Sequence, residues 1–364
     1  MISTGRSARP PEAPGRSGTG PLVSVLMPVR DSRPWIDSSL ASLERQTLDR
    51  IEAVLVDDGS SDGTAEAIDQ WAAAWTSRPG RQAVVLHLEP TGLVGALEAG
   101  RRRCSAPLIA RMDGDDISHP RRLELQAALL DERPDIDLVS CRVRLFPRHR
   151  LGTGFRLYES WLNSLAGHHD IWRERFIESP VVHPSVMLRR EALERVGGWR
   201  DQGWPEDYDL WLRLLEQGSR FARVPRHLLL WREHPRRLTH RDRRYATRRF
   251  LACKAHHLLR GPLAARPPVI IWGAGRTGRI LSAMLLSGNA RLECFIDIDP
   301  AKIGRRLRDR PVRGPERLDG LVGRSVPEPP VILAAVASRG ARALIRSHLE
   351  DLGMIETRHF WCVT

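Results

Sequence analysis

Lysine is nearly missing from this 364-residue chain: of its 57 basic residues, only Lys254 and Lys302 are lysines. So heavy an arginine bias fits GC-rich coding better than selection for every guanidinium contact. Long apolar runs are missing too, and without about 18 consecutive apolar residues no helix is expected to span a bilayer. The first twenty residues, MISTGRSARPPEAPGRSGTG, carry positive charge with no apolar stretch behind it. They are expected to be a disordered tail, neither a secretory signal nor an anchor. Cysteine is sparse and scattered: Cys104, Cys141, Cys253, Cys294 and Cys362 form no CxxC pair and no zinc-finger spacing with histidine. A reduced, cytosolic protein is the natural expectation. No tandem repeat of the solenoid kind is present.

What is there is globular in composition, with 41% hydrophobic and 28% charged residues. At roughly 150 residues per domain, the length asks for two domains. The net charge is +13 and unevenly spread, since residues 220–260 hold thirteen Lys/Arg against only Glu233 and Asp242. Such a stretch can meet the phosphates of a nucleotide, a lipid headgroup or a nucleic acid.

Short β-branched runs at 23–27, 53–56, 83–88 and 108–111 alternate with amphipathic stretches at 35–45, 63–75 and 93–103. That alternation predicts an α/β fold with a parallel sheet covered by helices. Polar and acidic residues collect where the strands end, which is where open α/β sheets bind ligands. Asp57-Asp58-Gly59-Ser60 follows one strand and serves either as a turn and helix cap or as an acceptor for a nucleobase or ribose. Asp113-Gly114-Asp115-Asp116 packs three carboxylates into four residues, read as a solvated acidic turn or as oxygen ligands for a divalent cation. The less regular region 151–260, rich in tryptophan, is expected to complete this domain.

Four segments in order, Ser24-Val25-Leu26-Met27-Pro28-Val29, Val54-Leu55-Val56-Asp57-Asp58-Gly59-Ser60-Ser61-Asp62-Gly63-Thr64, Ala110-Arg111-Met112-Asp113-Gly114-Asp115-Asp116 and Glu206-Asp207-Tyr208-Asp209-Leu210-Trp211, resemble the family 2 glycosyltransferases. The resemblance covers roughly residues 21–240 and implies the GT-A fold, with a mixed, mostly parallel sheet. It implies that Asp58 reads the base of a nucleotide-sugar donor, with Pro28, Val29 and Asp31 in the same pocket. It places Asp113 towards the ribose, Asp115 on Mg²⁺ or Mn²⁺ at the diphosphate, and Asp207 as the base that activates the acceptor. His183 and His234 border the donor site in similar sequences and reach the metal or diphosphate, or else are structural imidazoles. The implied activity is an inverting, metal-dependent hexosyl transfer to a glycan or lipid-linked acceptor in polysaccharide or glycolipid synthesis.

Two positions depart from the family pattern. Pro28-Val29-Arg30-Asp31 stands where many relatives read Pro-Val-Tyr-Asn, and Ala96-Leu97-Glu98-Ala99-Gly100 where many carry Ala-x-Asn-x-Gly. Trp199 and Trp204 flank the acidic segment and either stack on a sugar or belong to the core.

Gly261-Pro262 and Arg266-Pro267-Pro268 punctuate the chain before a fresh strand and glycine loop. The expected organisation is therefore a 1–20 tail, a 21–260 transferase domain and a small Rossmann-like domain at 266–364, with residues 1–262 able to fold alone. In Gly273-Ala274-Gly275-Arg276-Thr277-Gly278 the glycines let backbone approach a pyrophosphate, and Asp297, about 20 residues on, suits a ribose hydroxyl. This second site takes a dinucleotide or nucleotide, or else the domain is an empty assembly module. The favoured whole is a cytoplasmic enzyme, peripheral at the inner face of an anionic membrane. A non-catalytic nucleotide-sugar-binding scaffold is the alternative; a nucleic-acid-binding protein is disfavoured because no recognition motif or aromatic-basic repeat accompanies the arginines.

Overall fold

The computed structural model describes residues 20–319, 321 and 328–364, so all of the expected tail except Gly20 lies outside the described residues. The first β-branched runs become β1 (Val23–Val29), β2 (Ile51–Asp57) and β3 (Arg81–His87), each followed by a helix: α1 (Arg33–Glu44), α2 (Thr64–Thr76) and α3 (Gly92–Arg101). Both β1 and β2 are buried along their whole length, because a parallel strand with cover on both faces has no polar side to present. Sitting at the sheet edge, β3 stays partly exposed.

The chain continues through β4 (Leu108–Arg111), β5 (Ile117–Ser118), α4 (Arg122–Glu132), β6 (Leu138–Phe146), α5 (Thr153–Ser164), α6 (His168–Glu174), β7 (Met187–Arg189), α7 (Arg190–Arg195), α8 (Glu206–Glu216) and β8 (Phe221–Arg232). These strands form one eight-stranded sheet in the order β3-β2-β1-β4-β7-β6-β8-β5. Pairing is parallel from β3 through β2 and β1 to β4 and again between β6 and β8, and antiparallel where β7 meets β4 and β6. The chain steps outward from β1 to β2 and β3 and then crosses back through α3 to β4 on the other side of β1, and at that reversal a crevice opens beyond the carboxyl ends of these strands. Asp31 follows β1 there, Asp58 follows β2, and Asp113 follows β4.

Two further helices, α9 (Leu238–Arg241) and α10 (Thr247–Arg260), lead to a second sheet. It comprises β9 (Pro268–Trp272), β10 (Arg291–Ile296), β11 (Arg306–Leu307), β12 (Arg310–Arg313), β13 (Val331–Ala334) and β14 (Phe360–Cys362), with α11 (Arg276–Ser287) and α12 (Ala341–Asp351). Its order is β11-β12-β10-β9-β13-β14.

The first sheet has core of its own on both faces, and a further cluster is shared between the two sheets. Phe176, together with Tyr208 and Leu212 of α8, packs in one cluster with Leu258 of α10 and with Ile271, Phe295 and Leu333 of the second sheet. The proline-rich punctuation therefore marks a change of sheet across which one cluster continues. All five cysteines are free and buried. Among the described residues, no helix is long and apolar enough to cross a membrane.

Candidate active site

A cleft of about 1070 Å³ opens at the carboxyl edge of the first sheet, and every donor, metal and base candidate from that part of the chain lines it. At one end Pro28 and Val29 close β1, and Asp31 and Asp58 follow. Asp58 is buried, and its carboxylate caps α3: Oδ1 accepts from Thr91 N (2.6 Å) and Thr91 Oγ1 (2.9 Å), Oδ2 from Gly92 N (3.0 Å). The capping alternative is thus realised, and it holds this carboxylate rigidly at the cleft wall. Asp31 ties two strand-end loops together, accepting from Ser61 N at 2.9 Å while its own N–H donates to Ser60 Oγ at 2.9 Å.

Asp113, Asp115 and Asp116 each bring a carboxylate oxygen within 4.8 Å of the other two. A Cβ at Gly114 would stand 2.7 Å from Val29 Cγ1, so only glycine lets this acidic turn lie against the end of β1. Burial pushes the Asp113 carboxyl up; Arg111, 2.5 Å from its Oδ1, pulls the other way, and Asp115 adds to the rise. Asp116 is fully buried. Its Oδ1 accepts from Arg232 N at 2.8 Å while Oδ2 has no donor among the described residues, and burial, then Asp115 and Asp113, push it well above the usual carboxylate range. Three crowded oxygens, one of them an orphan, are a donor set of the kind a hard divalent cation takes.

The two histidines hold different posts. His234 stacks on Trp35 (3.9 Å between ring centroids), its Nδ1 accepts from Arg236 N, and its Nε2 lies 2.7 Å from Asp115 Oδ2. With Nδ1 accepting, Nε2 carries the proton and donates to the carboxylate, so here the ring orients Asp115. The ring of His183 is not part of the carboxylate group: Nε2 accepts from Trp199 Nε1 at 3.0 Å, and Nδ1 lies 3.7 Å from Glu206. Burial, then Arg111, holds its imidazole well below the usual value, so it is neutral.

Asp207 enters the same cleft from the first turn of α8. Burial, then neighbouring Glu206 and Glu178, push its carboxyl well above the usual range. Glu206 is itself buried and accepts from Tyr245 Oη at both oxygens, 3.0 and 2.9 Å. One cleft thus holds an acid group of a kind that could hold a cation and a separate carboxyl raised well above its usual range, a pairing suited to group transfer from a diphosphate to a hydroxyl.

The sequence family described as Glycosyl transferase family 2 matches residues 24–197. The amylovoran biosynthesis glycosyltransferase AmsE of Erwinia amylovora is 32% identical over 207 residues, which is 56% of this chain and 73% of that one. The chain belongs to glycosyltransferase family 2. An Escherichia coli relative, UDP-Gal:alpha-D-GlcNAc-diphosphoundecaprenol beta-1,3-galactosyltransferase, is 27% identical over 54% of this chain and 69% of its own. Among solved structures, the mannosyltransferase PcManGT from Pyrobaculum calidifontis, in complex with GDP-Man and Mn²⁺, is 21% identical with a TM-score of 0.48, covering 74% of this chain and 69% of that one.

The eight-stranded sheet of this glycosyltransferase is its GT-A fold. Where many family members have an amide, Glu98 accepts from Trp199 N at 2.7 Å and pairs with Arg101 at 2.8 Å, so it ties α3 to the 197–199 turn. Trp199 is core, and Trp204 donates from Nε1 to Asp209 at 3.0 Å. Motif reading missed Arg111, Glu178 and Tyr245. Arg111 stands two residues before the crowded acids, which was the available signal. Glu178 and Tyr245 carry none.

In the second sheet, the glycine loop is built for close packing. Gly273 has φ +123°, and a Cβ at Gly278 would stand 1.8 Å from Gly273 O, whereas nothing lies within 4 Å of one at Gly275. The Asp297 carboxylate is already engaged, accepting from Ala274 N (3.0 Å), Asp299 N (3.0 Å) and Lys302 Nζ (3.1 Å). A second acid-cysteine-histidine group, Asp209, Cys253 and His257, does not suit a metal. His257 contacts carboxylates through both ring nitrogens, 2.6 Å to Glu216 and 3.3 Å to Asp209, so neither is free for a metal, and despite burial these bonds raise it above its usual value. Burial pushes the Cys253 thiol up.

Proposed function

We propose that this family 2 enzyme is an inverting, metal-dependent hexosyltransferase that moves a sugar from a nucleoside-diphosphate donor to a hydroxyl of a glycan or lipid-linked acceptor. The observation that carries the reading is the single cleft that holds both the Asp113–Asp115–Asp116 group and the separate Asp207. In this reading Pro28, Val29, Asp31 and Asp58 shape the nucleoside end. Asp115, with Asp113 and Asp116, would hold Mg²⁺ or Mn²⁺, and His234 keeps Asp115 aimed. When bound, the cation offsets charge that develops on the departing diphosphate. Arg111 neutralises Asp113 from behind, so that the acid group does not repel itself when empty. Asp207 takes the proton of the acceptor hydroxyl as its oxygen attacks the anomeric carbon, and the bond from that carbon to the diphosphate oxygen breaks with its electron pair leaving on the nucleotide. A carboxyl raised by its surroundings is a stronger base than an ordinary one, and His183, being neutral, adds no cation to lower it.

Incubation with UDP- and GDP-sugars and Mn²⁺ tests the reading: release of nucleoside diphosphate supports it, and tight binding without release would leave the non-catalytic scaffold. At the cleft, Arg236 and Arg241 are exposed, as is Leu238 at 46% exposure, and Arg243, Arg248 and Arg249 are exposed in the chain that follows. This basic and apolar rim supports a cytoplasmic enzyme with a peripheral seat on an anionic membrane. We take residues 21–260 as the transferase unit and 266–364 as a Rossmann-like unit. An assembly or structural role for the latter is favoured over a bound nucleotide, because the Asp297 carboxylate is spent on Ala274, Asp299 and Lys302.

A further inference from the structure

Lys254, one of the chain's two lysines, lies in the middle of α10 and is 5% exposed. Its Nζ donates to Ile177 O at 2.8 Å and to Val363 O at 3.0 Å, so a single buried ammonium joins the loop after α6 to the last residues of the second sheet. Burying a cation costs several kcal/mol unless its environment answers it, and such groups are kept where they fix geometry. A compact ammonium fits between two carbonyls where a planar guanidinium does not, which accounts for lysine at this point in so arginine-rich a chain.

The same loop is gripped twice more from the second sheet. Arg346 of α12 donates Nη2 to Glu174 Oε1 at 2.6 Å, and the other oxygen of Glu174 accepts from Trp161 Nε1 at 3.2 Å. Ile177 packs among Ile270, Trp272 and Phe360. Residues 174–177 are thus seated in the second sheet, and from Glu178 onwards the chain turns into the wall of the cleft. There Glu178 Oε1 accepts from Ser179 N at 3.0 Å, and among the described residues no donor reaches Oε2. Tyr208, the residue after Asp207, donates Oη to Arg175 O at 2.6 Å, so the base and this wall are tied together.

We infer that the second sheet is a working part of the transfer site: through Lys254 and Arg346 it fixes residues 174–183, and so holds Glu178 in the cleft as a second acceptor-facing carboxylate alongside Asp207. Glu178 accepts a hydrogen bond from one acceptor sugar hydroxyl and so orients another towards Asp207; Lys254 and Arg346 are positioning residues. The inference rests on Asp207 being the base.

The test uses full-length protein. Lys254→Met should speed hydrogen exchange of amides 174–183 by about tenfold or more, because a local tie is cut without global unfolding. Its affinity for UDP or GDP with Mn²⁺ should stay within about twofold, while turnover of a UDP- or GDP-sugar falls by about tenfold through kcat rather than donor KM. Should Lys254→Met fail to fold, Arg346→Gln, which cuts the Glu174 tie together with the Arg346 bonds to Glu356 and leaves Lys254 in place, gives the same readouts. Glu178→Ala should lower transfer to methyl hexosides relative to hydrolysis by water, and Glu178→Gln, which keeps an accepting oxygen, should restore much of that ratio. Unchanged exchange and unchanged kcat in a folded Lys254→Met or Arg346→Gln protein would overturn the positioning role, and an unaltered transfer-to-hydrolysis ratio in Glu178→Ala would overturn the acceptor role. A wild-type protein with no turnover of any donor would count against the transferase reading of the cleft, while the exchange result would still decide the mechanical claim.

Discussion

At the scale of single residues, the site is a set of carboxyl groups whose surroundings set their work. Asp115 meets the cleft with one oxygen held by His234, and its neighbours Asp113 and Asp116 are both raised by burial and mutual repulsion. Asp115→Asn should abolish the gain in UDP or GDP affinity that Mn²⁺ confers, with little change in melting temperature; unchanged metal dependence in calorimetry would remove Asp115 from the ligand set. His257 makes a different test. Its imidazole is raised above its usual value of about 6.5 by Asp209 and Glu216, so it contributes stability fully below that usual value and loses it as pH rises through the raised one. Melting temperatures should therefore fall over that window in wild type and change less in His257→Gln; parallel curves would contradict a charged His257. The acids themselves were legible in the sequence, because strand ends and short acidic motifs are local signals. Glu178 and Tyr245 were not, since Tyr245 reaches Glu206 across 39 residues and no motif surrounds either.

At the scale of elements, the order of β1, β2 and β4 decides where the chemistry can be, and their boundaries read well from periodicity. Val23–Val29 and Ile51–Asp57 extend the expected strands by only a few residues, and Leu108–Arg111 coincides with its expectation. Residues 151–260 read poorly because their elements are short and their order in the sheet is set by long-range pairing, as when β6 takes β8 as a parallel partner. Helix α8 brings Asp207 into the cleft at its first turn, and the carboxyl raised there makes a prediction about pH. Turnover needs the ionised base, so its acid limb should lie well above the ordinary carboxylate range of about 4. A limb at or below that range would mean Asp207 is not the titrating base. The arginine rim around α9 and the start of α10 predicts binding to anionic liposomes that weakens as salt rises; equal binding to neutral liposomes would argue for apolar contact instead.

At the scale of the whole molecule, the sequence divides at Gly261-Pro262 and Arg266-Pro267-Pro268, while the packing does not. Local punctuation is visible in a sequence; a core shared between Tyr208 and Leu212 on one side and Ile271 and Leu333 on the other is not. Removal of residues 266–364 should therefore expose apolar surface on α8 and α10 and destabilise what remains, readable as aggregation or a lowered melting temperature in a 1–262 fragment. In the proposed reading, one cleft divides donor holding from proton removal between two separate sets of acids. Calorimetry with Mn²⁺ and UDP or GDP, paired with turnover of the matching nucleotide sugar, measures that division in Asp207→Asn. Turnover should fall by on the order of 10²–10⁴-fold with nucleotide affinity nearly unaltered; loss of nucleotide affinity in step with turnover would overturn the division.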